Sequence, residues 1–195
     1  MTGTRDVSEQ LKSLRDCFFS LCKDDTPMVR RAAAKNISAV FGVFEDEHIS
    51  LFVTQYDEFM RSDDVRFLFS PHRQEAIKLT LMSFTKELLQ RLKEDSDRAK
   101  VLSLFQNAME SRSYKIREAA ALEVGAVAGI LGSAVFSQQL LETFLNLLKD
   151  NNVEVKKNAI KQLTPLSKVL PRDAFLSKLF PFVSTLATDT NAAIT

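Results

Sequence analysis

The sequence predicts an all-α fold in which pairs of helices repeat along the chain. Apolar residues recur at helical spacing almost throughout the 195 residues, and glycine and proline number only five each. A β-rich fold with many tight turns needs more of both residues. A sequence mark also returns about every 39 residues. A period of that length made of two helices is typical of an α-α superhelix, or solenoid, because one pair cannot bury its own apolar face.

The first predicted unit, residues 7–44, begins with an amphipathic helix. Its apolar face has members at i, i+3, i+7 and i+10, namely Leu11, Leu14, Phe18 and Leu21. Pro27 opens the second helix, because the first helical position needs no backbone N–H. We expect the three alanines at 32–34 to let another helix approach closely.

The same pattern predicts full helix pairs at 47–93, 95–132 and 136–170, and the first helix of a fifth pair within 173–195. The second unit is longer than the others. We therefore expect an enlarged turn at 61–71, with a short helical piece over 64–69, and Pro71 opens the second helix of this unit.

The second helices share a β-branched residue followed by a basic one. These pairs are Val29-Arg30, Ile116-Arg117 and Val155-Lys156. Three aspartates, Asp24, Asp150 and Asp189, each lie five residues before the β-branched position. The last such position, Ile194, comes just before the sequence stops, so we expect the chain to be part of a longer array.

Charge, cysteine content and hydropathy exclude several classes of protein. A formal net charge of +1 offers no concentrated basic surface for nucleic acid. Cys17 and Cys22 predict buried thiols in a reducing compartment. The apolar stretch 124–136 is too short and too rich in glycine for a membrane span, and residues 1–10 are too polar for a signal peptide.

Catalytic and cofactor signatures are missing from the sequence. His48 and His72 fall in different units, without the cysteine or carboxylate spacing of a metal site. The segments "GVFED" and "GILGS" lack the Lys-Ser/Thr that a phosphate-binding loop needs. We predict no catalysis and no cofactor.

The expected core includes a stripe of phenylalanines, namely Phe18, Phe41, Phe52, Phe105, Phe144 and Phe180. In the turns, we expect Asp24 to bond with Arg30 and Asp150 with Lys156, joining each turn to the helix that follows.

The segment "LRDCFFSLCKDDTPMVRRAAAKNISAVF", residues 14–41, resembles a HEAT repeat of the scaffold (A) subunits of protein phosphatase 2A. "DDTPMVRRAAA" is its most specific part. "MESRSYKIREAA", "FLNLLKDNNVEVKKNA" and "FPFVSTLATDTNAAI" resemble later repeats of the same family more loosely, and the second unit departs through its enlarged turn. The resemblance also implies a ladder of bonds between neighbouring turns.

The resemblance implies a non-catalytic scaffold that holds B-type regulatory subunits of the phosphatase on the row of turns inside its repeats. The matched turn residues are Asp25, Thr26, Pro27, Met28, Arg30, Arg31, Tyr114 and Lys115. In the family the catalytic subunit docks on repeats that would follow Thr195. The resemblance also implies the cytoplasm, and the nucleus as a second location.

The turn residues suit protein recognition. Thr26-Pro27-Met28 offers a rigid, partly apolar knob, and Arg31 offers a planar donor that can hold a carboxylate by two bonds. Tyr114 and Lys115 stand where the family carries a larger aromatic and an arginine; tyrosine keeps an amphipathic anchor. Arg30 can be interpreted either as a structural residue of the turn or as a residue that contacts a partner. The polar fourth turn, residues 151–154, carries little information.

Two alternatives remain open. An adaptor or transport receptor would bind a peptide on its concave face, which calls for an acidic or Asn/Trp-rich inner surface, and this chain has no tryptophan. A nucleic-acid-binding module would need more than the scattered basic residues of "REAAALEV" and "VKKNAIKQL".

Overall fold

The computed structural model describes residues 3–61 and 71–188. These residues form helices and connecting turns, with no β-strand among them, so the prediction of an all-α fold is confirmed. The chain divides into two compact units, Met1–Val101 and Leu102–Thr195. The predicted bounds of the individual helix pairs stay a prediction.

The first unit is built from helices on both sides of the undescribed segment 62–70. Its elements are α1 (Gly3–Cys22), α2 (Pro27–Lys35), α3 (Ile37–Phe41), a 3-10 turn (Asp46–His48), α4 (Ile49–Arg61), α5 (Pro71–Arg91) and the start of α6 (Asp95–Met109). Pro27 and Pro71 open helices as predicted. The predicted helical piece at 64–69 lies outside the described residues.

Aromatic rings fill the centre of the first unit. The ring centroid of Phe41 lies 5.1 Å from the centroid of Phe52 and 5.1 Å from that of Phe84, and both contacts are edge-to-face. Phe18 stacks on Phe52 with a centroid distance of 6.1 Å. All four rings are buried. Helix α5 packs on α2, α3 and α4 around them, so the second helix of the second pair closes this core.

Helix α1 leaves part of its apolar face exposed. Phe18 is buried, whereas Leu14 and Leu21 are more than two-fifths exposed. The prediction of two buried thiols is wrong for Cys17, which is exposed, and right for Cys22. Burial raises the pKa of the Cys22 thiol to about 12, so this cysteine stays protonated and unreactive near neutral pH.

The second unit combines one long helix with several short ones. Its elements are the end of α6, then α7 (Tyr114–Gln139), α8 (Leu141–Leu148), α9 (Val153–Lys161), α10 (Leu163–Val169), α11 (Arg172–Lys178) and α12 (Phe180–Thr188). Helix α7 packs on α8, α9 and α10 and is the central element of the unit. Phe144 and Phe105 are buried as predicted, but Phe180 is 55% exposed, so its assignment to the core is wrong.

By length and composition alone, helix α7 could cross a membrane. The sequence analysis considered only the shorter stretch 124–136, which is too short for a membrane span. It is bent at Gly132, whose φ of 78° and ψ of 167° are not helical. Glycine adopts this conformation without the steric cost that a Cβ would bring. Buried residues before and after the bend, including Val124, Ala128 and Phe136, pack within the unit. These features are those of a core helix pair joined through a bend.

Candidate functional site

The first turn, residues 23–26, is shaped by Asp24. Its Oδ1 accepts a hydrogen bond of 2.7 Å from the backbone N–H of Thr26. This is an Asx-turn, in which an aspartate side chain stands in for a backbone acceptor. Thr26 then precedes Pro27, which starts α2. Asp24 therefore sets the direction in which the chain enters the second helix.

Arg30 braces the same turn from inside α2. Its Nη1 donates to the carbonyl oxygen of Asp24 at 2.6 Å and to that of Asp25 at 3.1 Å. The predicted bond between Asp24 and Arg30 thus exists, but it joins the guanidinium to the backbone carbonyl of Asp24. A charged donor that satisfies two free carbonyls stiffens the turn. These bonds agree with the structural interpretation of Arg30.

The braced turn presents an exposed group of side chains. Met28 is 74% exposed, the highest value among the large apolar residues described, and Asp25, Thr26 and Arg31 are also exposed. Arg31 forms no hydrogen bond or ion pair with another described residue. An exposed thioether beside an unengaged guanidinium on a rigid turn is a surface suited to protein contact.

The third turn, residues 110–113, has the same construction with different side chains. Ser111 replaces the aspartate, and its Oγ accepts the backbone N–H of Ser113 at 3.3 Å. Arg117 Nη1 donates to the carbonyls of Ser111 and Arg112 at 2.8 and 3.2 Å, as Arg30 does in the first turn. Tyr114 is 44% exposed and Lys115 is exposed, both at the start of α7.

Arg117 also links the third turn to the fourth. Its Nε and Nη2 donate to the two carboxylate oxygens of Asp150 at 2.6 and 2.9 Å, a bidentate pair. The predicted hydrogen bond of Asp150 with Lys156 is therefore wrong, because Arg117 of the preceding repeat supplies the bonded cation, and Lys156 acts on Asp150 only through its charge. The contact agrees with the expected ladder of bonds between neighbouring turns. Burial raises the pKa of Asp150, but hydrogen bonds from Arg117 and the Asn152 N–H outweigh it, so the pKa lies below its ordinary value.

Asn152 has a structural role in the fourth turn that was not predicted from the sequence. Its Oδ1 accepts the N–H groups of Glu154 and Val155 at 3.0 and 3.3 Å, so it caps α9. An asparagine directly before an apolar helical pattern is the signal that predicts such a cap.

The predicted contact residues fall in both units. In the first unit, positions 25 and 26 lie on the turn and positions 27–31 lie at the start of α2; in the second unit, positions 114–115 lie at the start of α7. Of the eight predicted contact residues, all except Pro27 and Arg30 are exposed. Their role in partner binding stays a prediction. Within 3–61 and 71–188, no group of three or more His, Cys, Asp or Glu could hold a metal ion.

Comparison with known proteins agrees with this geometry. Residues 14–44 match a HEAT-repeat family model, and residues 133–194 match one described as PPP2R1A-like HEAT repeat. The chain is 28% identical over 129 residues to a protein phosphatase PP2A regulatory (A) subunit from Schizosaccharomyces pombe. It is 49% identical over 45 residues to a protein named protein phosphatase 2A scaffold subunit from Dictyostelium discoideum.

These matches cover 65% and 23% of this chain, but only 20% and 8% of the two relatives. The chain therefore spans a small part of the length of each relative. The predicted resemblance is confirmed: the chain carries HEAT repeats like those of the scaffold subunits of protein phosphatase 2A.

Proposed function

We propose that this chain, whose HEAT repeats resemble those of phosphatase 2A scaffold subunits, is a non-catalytic scaffold that holds regulatory subunits of the B type on its intra-repeat turns. The proposal rests on the structure of the first turn. There the chain is braced internally by Asp24 and Arg30, while Met28 and Arg31 remain outside that bracing and exposed.

The division of roles within the turn supports recognition. Arg30 is occupied with backbone carbonyls, so the repeat itself explains its presence. A HEAT turn does not need the exposed Met28 or Arg31 for its own hydrogen bonds. Arginine and large amphipathic side chains are enriched at the energetic centres of protein interfaces. Arg31 can form a bidentate pair with a partner carboxylate, and Met28 can fill an apolar pocket beside it.

Tyr114 and Lys115 form a separate proposed contact group in the second unit, at the start of α7, next to the turn that Arg117 braces. The relatives' names support binding of phosphatase subunits in general. The choice of B-type subunits, the docking of the catalytic subunit on repeats after Thr195, and a location in cytoplasm and nucleus are our further proposals.

The experiment is binding of the immobilised chain to purified B-type regulatory subunit, measured as Kd. We expect saturable binding, and Arg31→Glu should weaken it by about 30-fold or more, the effect of losing one interface hot spot and adding a like-charge clash. Lys12→Glu makes the same charge reversal on an exposed residue of α1 and should leave Kd unchanged. Equal weakening by both variants, or no binding by the unmodified chain, contradicts the proposal.

A parallel measurement with purified catalytic subunit should show little or no binding to this chain. Tight binding would contradict the placement of the catalytic-subunit site after Thr195. In both measurements, unchanged helical circular dichroism of the variants separates a lost contact from a lost fold.

A further inference from the structure

A groove lies between the helices α1 and α4 of the first unit. Its volume is about 420 Å³, within the range of about 300–1,000 Å³ that is usual for ligand sites. Phe19 and Lys23 of α1 and Leu51, Gln55 and Glu58 of α4 belong to its lining. None of these residues is among the turn residues proposed to contact regulatory subunits, so the groove is a separate feature of the first unit.

The buried amide of Gln55 opens onto this groove without a hydrogen-bond partner. Gln55 is 3% exposed, and its side chain forms no hydrogen bond with another described residue. The other buried polar side chains in the described part of the chain, Thr85, Thr143 and Asn158, each form one. Within 3–61 and 71–188, every buried side-chain N or O atom that solvent cannot reach has a partner. The Gln55 amide is therefore open to the groove, where a ligand can complete its hydrogen bonds.

The second unit has a polar residue at the corresponding position, with its partners in place. The buried positions of α4 return in α8 after 88 residues, so Gln55 corresponds to Thr143. The hydroxyl of Thr143 accepts a hydrogen bond from Gln106 at 3.2 Å and donates one to Glu110 at 3.1 Å. Gln106 lies in α6 and Glu110 directly follows it, so the preceding repeat satisfies the polar group at this position.

The first repeat does not supply such partners to Gln55. By the shift of 87 residues that relates the first repeat to the third, Phe19 and Lys23 stand at the two partner positions. A phenyl ring offers neither an N–H nor a carbonyl group, and Lys23 Nζ lies 3.5 Å from the carboxylate of Glu58. Gln55 thus keeps a donor and an acceptor unused in a groove that also has an aromatic wall.

The charges that line the groove are paired among themselves. Arg15 Nε donates to Asp16 at 3.1 Å, and Lys23 pairs with Glu58. Each pair contains one charge of each sign, so a charged occupant would gain little net attraction. The groove instead matches an uncharged occupant that has an apolar side chain and offers one N–H and one C=O. A peptide group beside an apolar residue has this chemistry.

We propose that the groove between α1 and α4 binds an extended peptide segment of a partner protein. A leucine-type side chain of the segment packs on Phe19 and on Leu51, which is 45% exposed. The adjacent peptide group bonds to Gln55, whose Nε2 donates to the carbonyl and whose Oε1 accepts the N–H. This inference rests on the groove and its unpartnered amide and is independent of the regulatory-subunit proposal.

The smallest probe with this chemistry is N-acetyl-leucine methylamide, which carries one leucine side chain between two peptide groups. It is titrated into the full, isotope-labelled chain and followed by NMR. The side-chain amide resonances of Gln55, assigned by their absence in Gln55→Leu, report the contact directly. We expect a saturable shift of these resonances with a Kd on the order of millimolar, the range for so small a ligand.

Gln55→Leu removes both proposed hydrogen bonds and keeps the bulk of the side chain. An apolar residue is tolerated at this position, because Leu104 occupies the corresponding place in α6 and is 4% exposed. We expect the Kd, measured from backbone resonances of Phe19 and Leu51, to rise about fivefold or more. Gln90→Leu makes the same change on an exposed residue of α5 and should leave the Kd unchanged. Equal affinity of Gln55→Leu and the unmodified chain contradicts the proposal, as does the absence of a saturable shift.

Further probes test the class of ligand. N-acetyl-alanine methylamide should bind about threefold more weakly or worse, since it buries less apolar surface. The glutamate and lysine analogues should bind no more tightly than the leucine probe, whereas a capped tripeptide Ala-Leu-Ala should bind more tightly because it contacts more of the groove. Tighter binding of a charged probe would identify an ion-pairing site, and tighter binding of the single residue than of the tripeptide would identify a small-molecule site. Either result overturns the proposal.

Discussion

Gly125 lies where α7 closely approaches the start of α10. A Cβ on this residue would stand 2.5 and 2.9 Å from the ring carbons of Pro165 and 2.7 Å from Oε1 of Gln162. The proline ring cannot rotate away, and Gln162 is held by its bond to the Gly125 N–H. The absence of a side chain therefore permits the packing. By contrast, a Cβ at Gly129, one turn later on α7, would meet nothing within 4 Å.

Gly125→Ala should reduce the free energy of unfolding by roughly 1–3 kcal/mol, because a rigid neighbour must shift. Gly129→Ala is the matched control and should stabilise the chain by about 0.5–1 kcal/mol through helix propensity. Urea denaturation followed by circular dichroism measures both. A Gly125→Ala variant as stable as Gly129→Ala would show that α10 moves aside at no cost.

At the scale of helices, Arg91 ties the end of α5 to the end of α3. Its Nη1 donates to the carbonyl of Phe41 at 2.7 Å, Nη2 donates to the carbonyl of Phe44, and Nε contacts Asp46 at 3.3 Å. The guanidinium carbon also lies 4.4 Å from the centre of the Phe41 ring. One side chain thus donates to the carbonyls of the last residue of α3 and of Phe44 in the loop after it, and covers an aromatic core residue.

Arg91→Gln should destabilise the first unit by about 1–3 kcal/mol, since partly buried carbonyls lose a charged donor. Lys93→Gln is the control: Lys93 contacts the same Asp46 at 2.7 Å but is 76% exposed, so its loss should cost less than about 1 kcal/mol. The rate at which Cys22 reacts with a thiol reagent under mild urea reports opening of this unit. Equal rates in the two variants would contradict the bracing role of Arg91.

At the scale of the whole molecule, lowered carboxyl pKa values occur in both units. Hydrogen bonds from Lys93 and Arg91 lower the pKa of Asp46. Burial raises the pKa of Asp57, but hydrogen bonds from Arg61 and Lys100 lower it by more, so this pKa lies below its ordinary value. The same balance lowers the pKa of Asp150. A carboxyl with a lower pKa in the folded state stabilises the protein above the unfolded pKa, and this stabilisation is lost as pH falls through the folded pKa.

We therefore expect the free energy of unfolding to fall as pH drops below about 4, near the ordinary aspartate pKa. Asp150→Asn should cost about 1–3 kcal/mol at pH 7, because Arg117 loses a charged partner in a largely buried pair. The difference from the unmodified chain should shrink at pH 3.

Glu94→Gln, on an exposed side chain without a hydrogen bond or ion pair to another described residue, is the control and should show no such convergence. Urea midpoints at pH 7, 5 and 3 provide the measurement. A constant difference between Asp150→Asn and the unmodified chain at all three pH values would contradict the assignment.

The sequence by itself determined the all-α class, the repeat of helix pairs and the bracing of the first turn, because these depend on local periodicity, on proline placement and on residues a few positions apart. It also located the exposed turn residues 25, 26, 28 and 31, because a turn that joins two helices faces solvent.

Only the tertiary structure decided which groups meet across repeats. The bond of Asp150 to Arg117 in place of Lys156, the closeness of Gly125 to Pro165, and the exposure of Leu14, Cys17 and Phe180 all depend on which helix lies alongside. Helical periodicity marks a face as apolar, but its burial requires a neighbour, and residues far apart in the chain supply that neighbour.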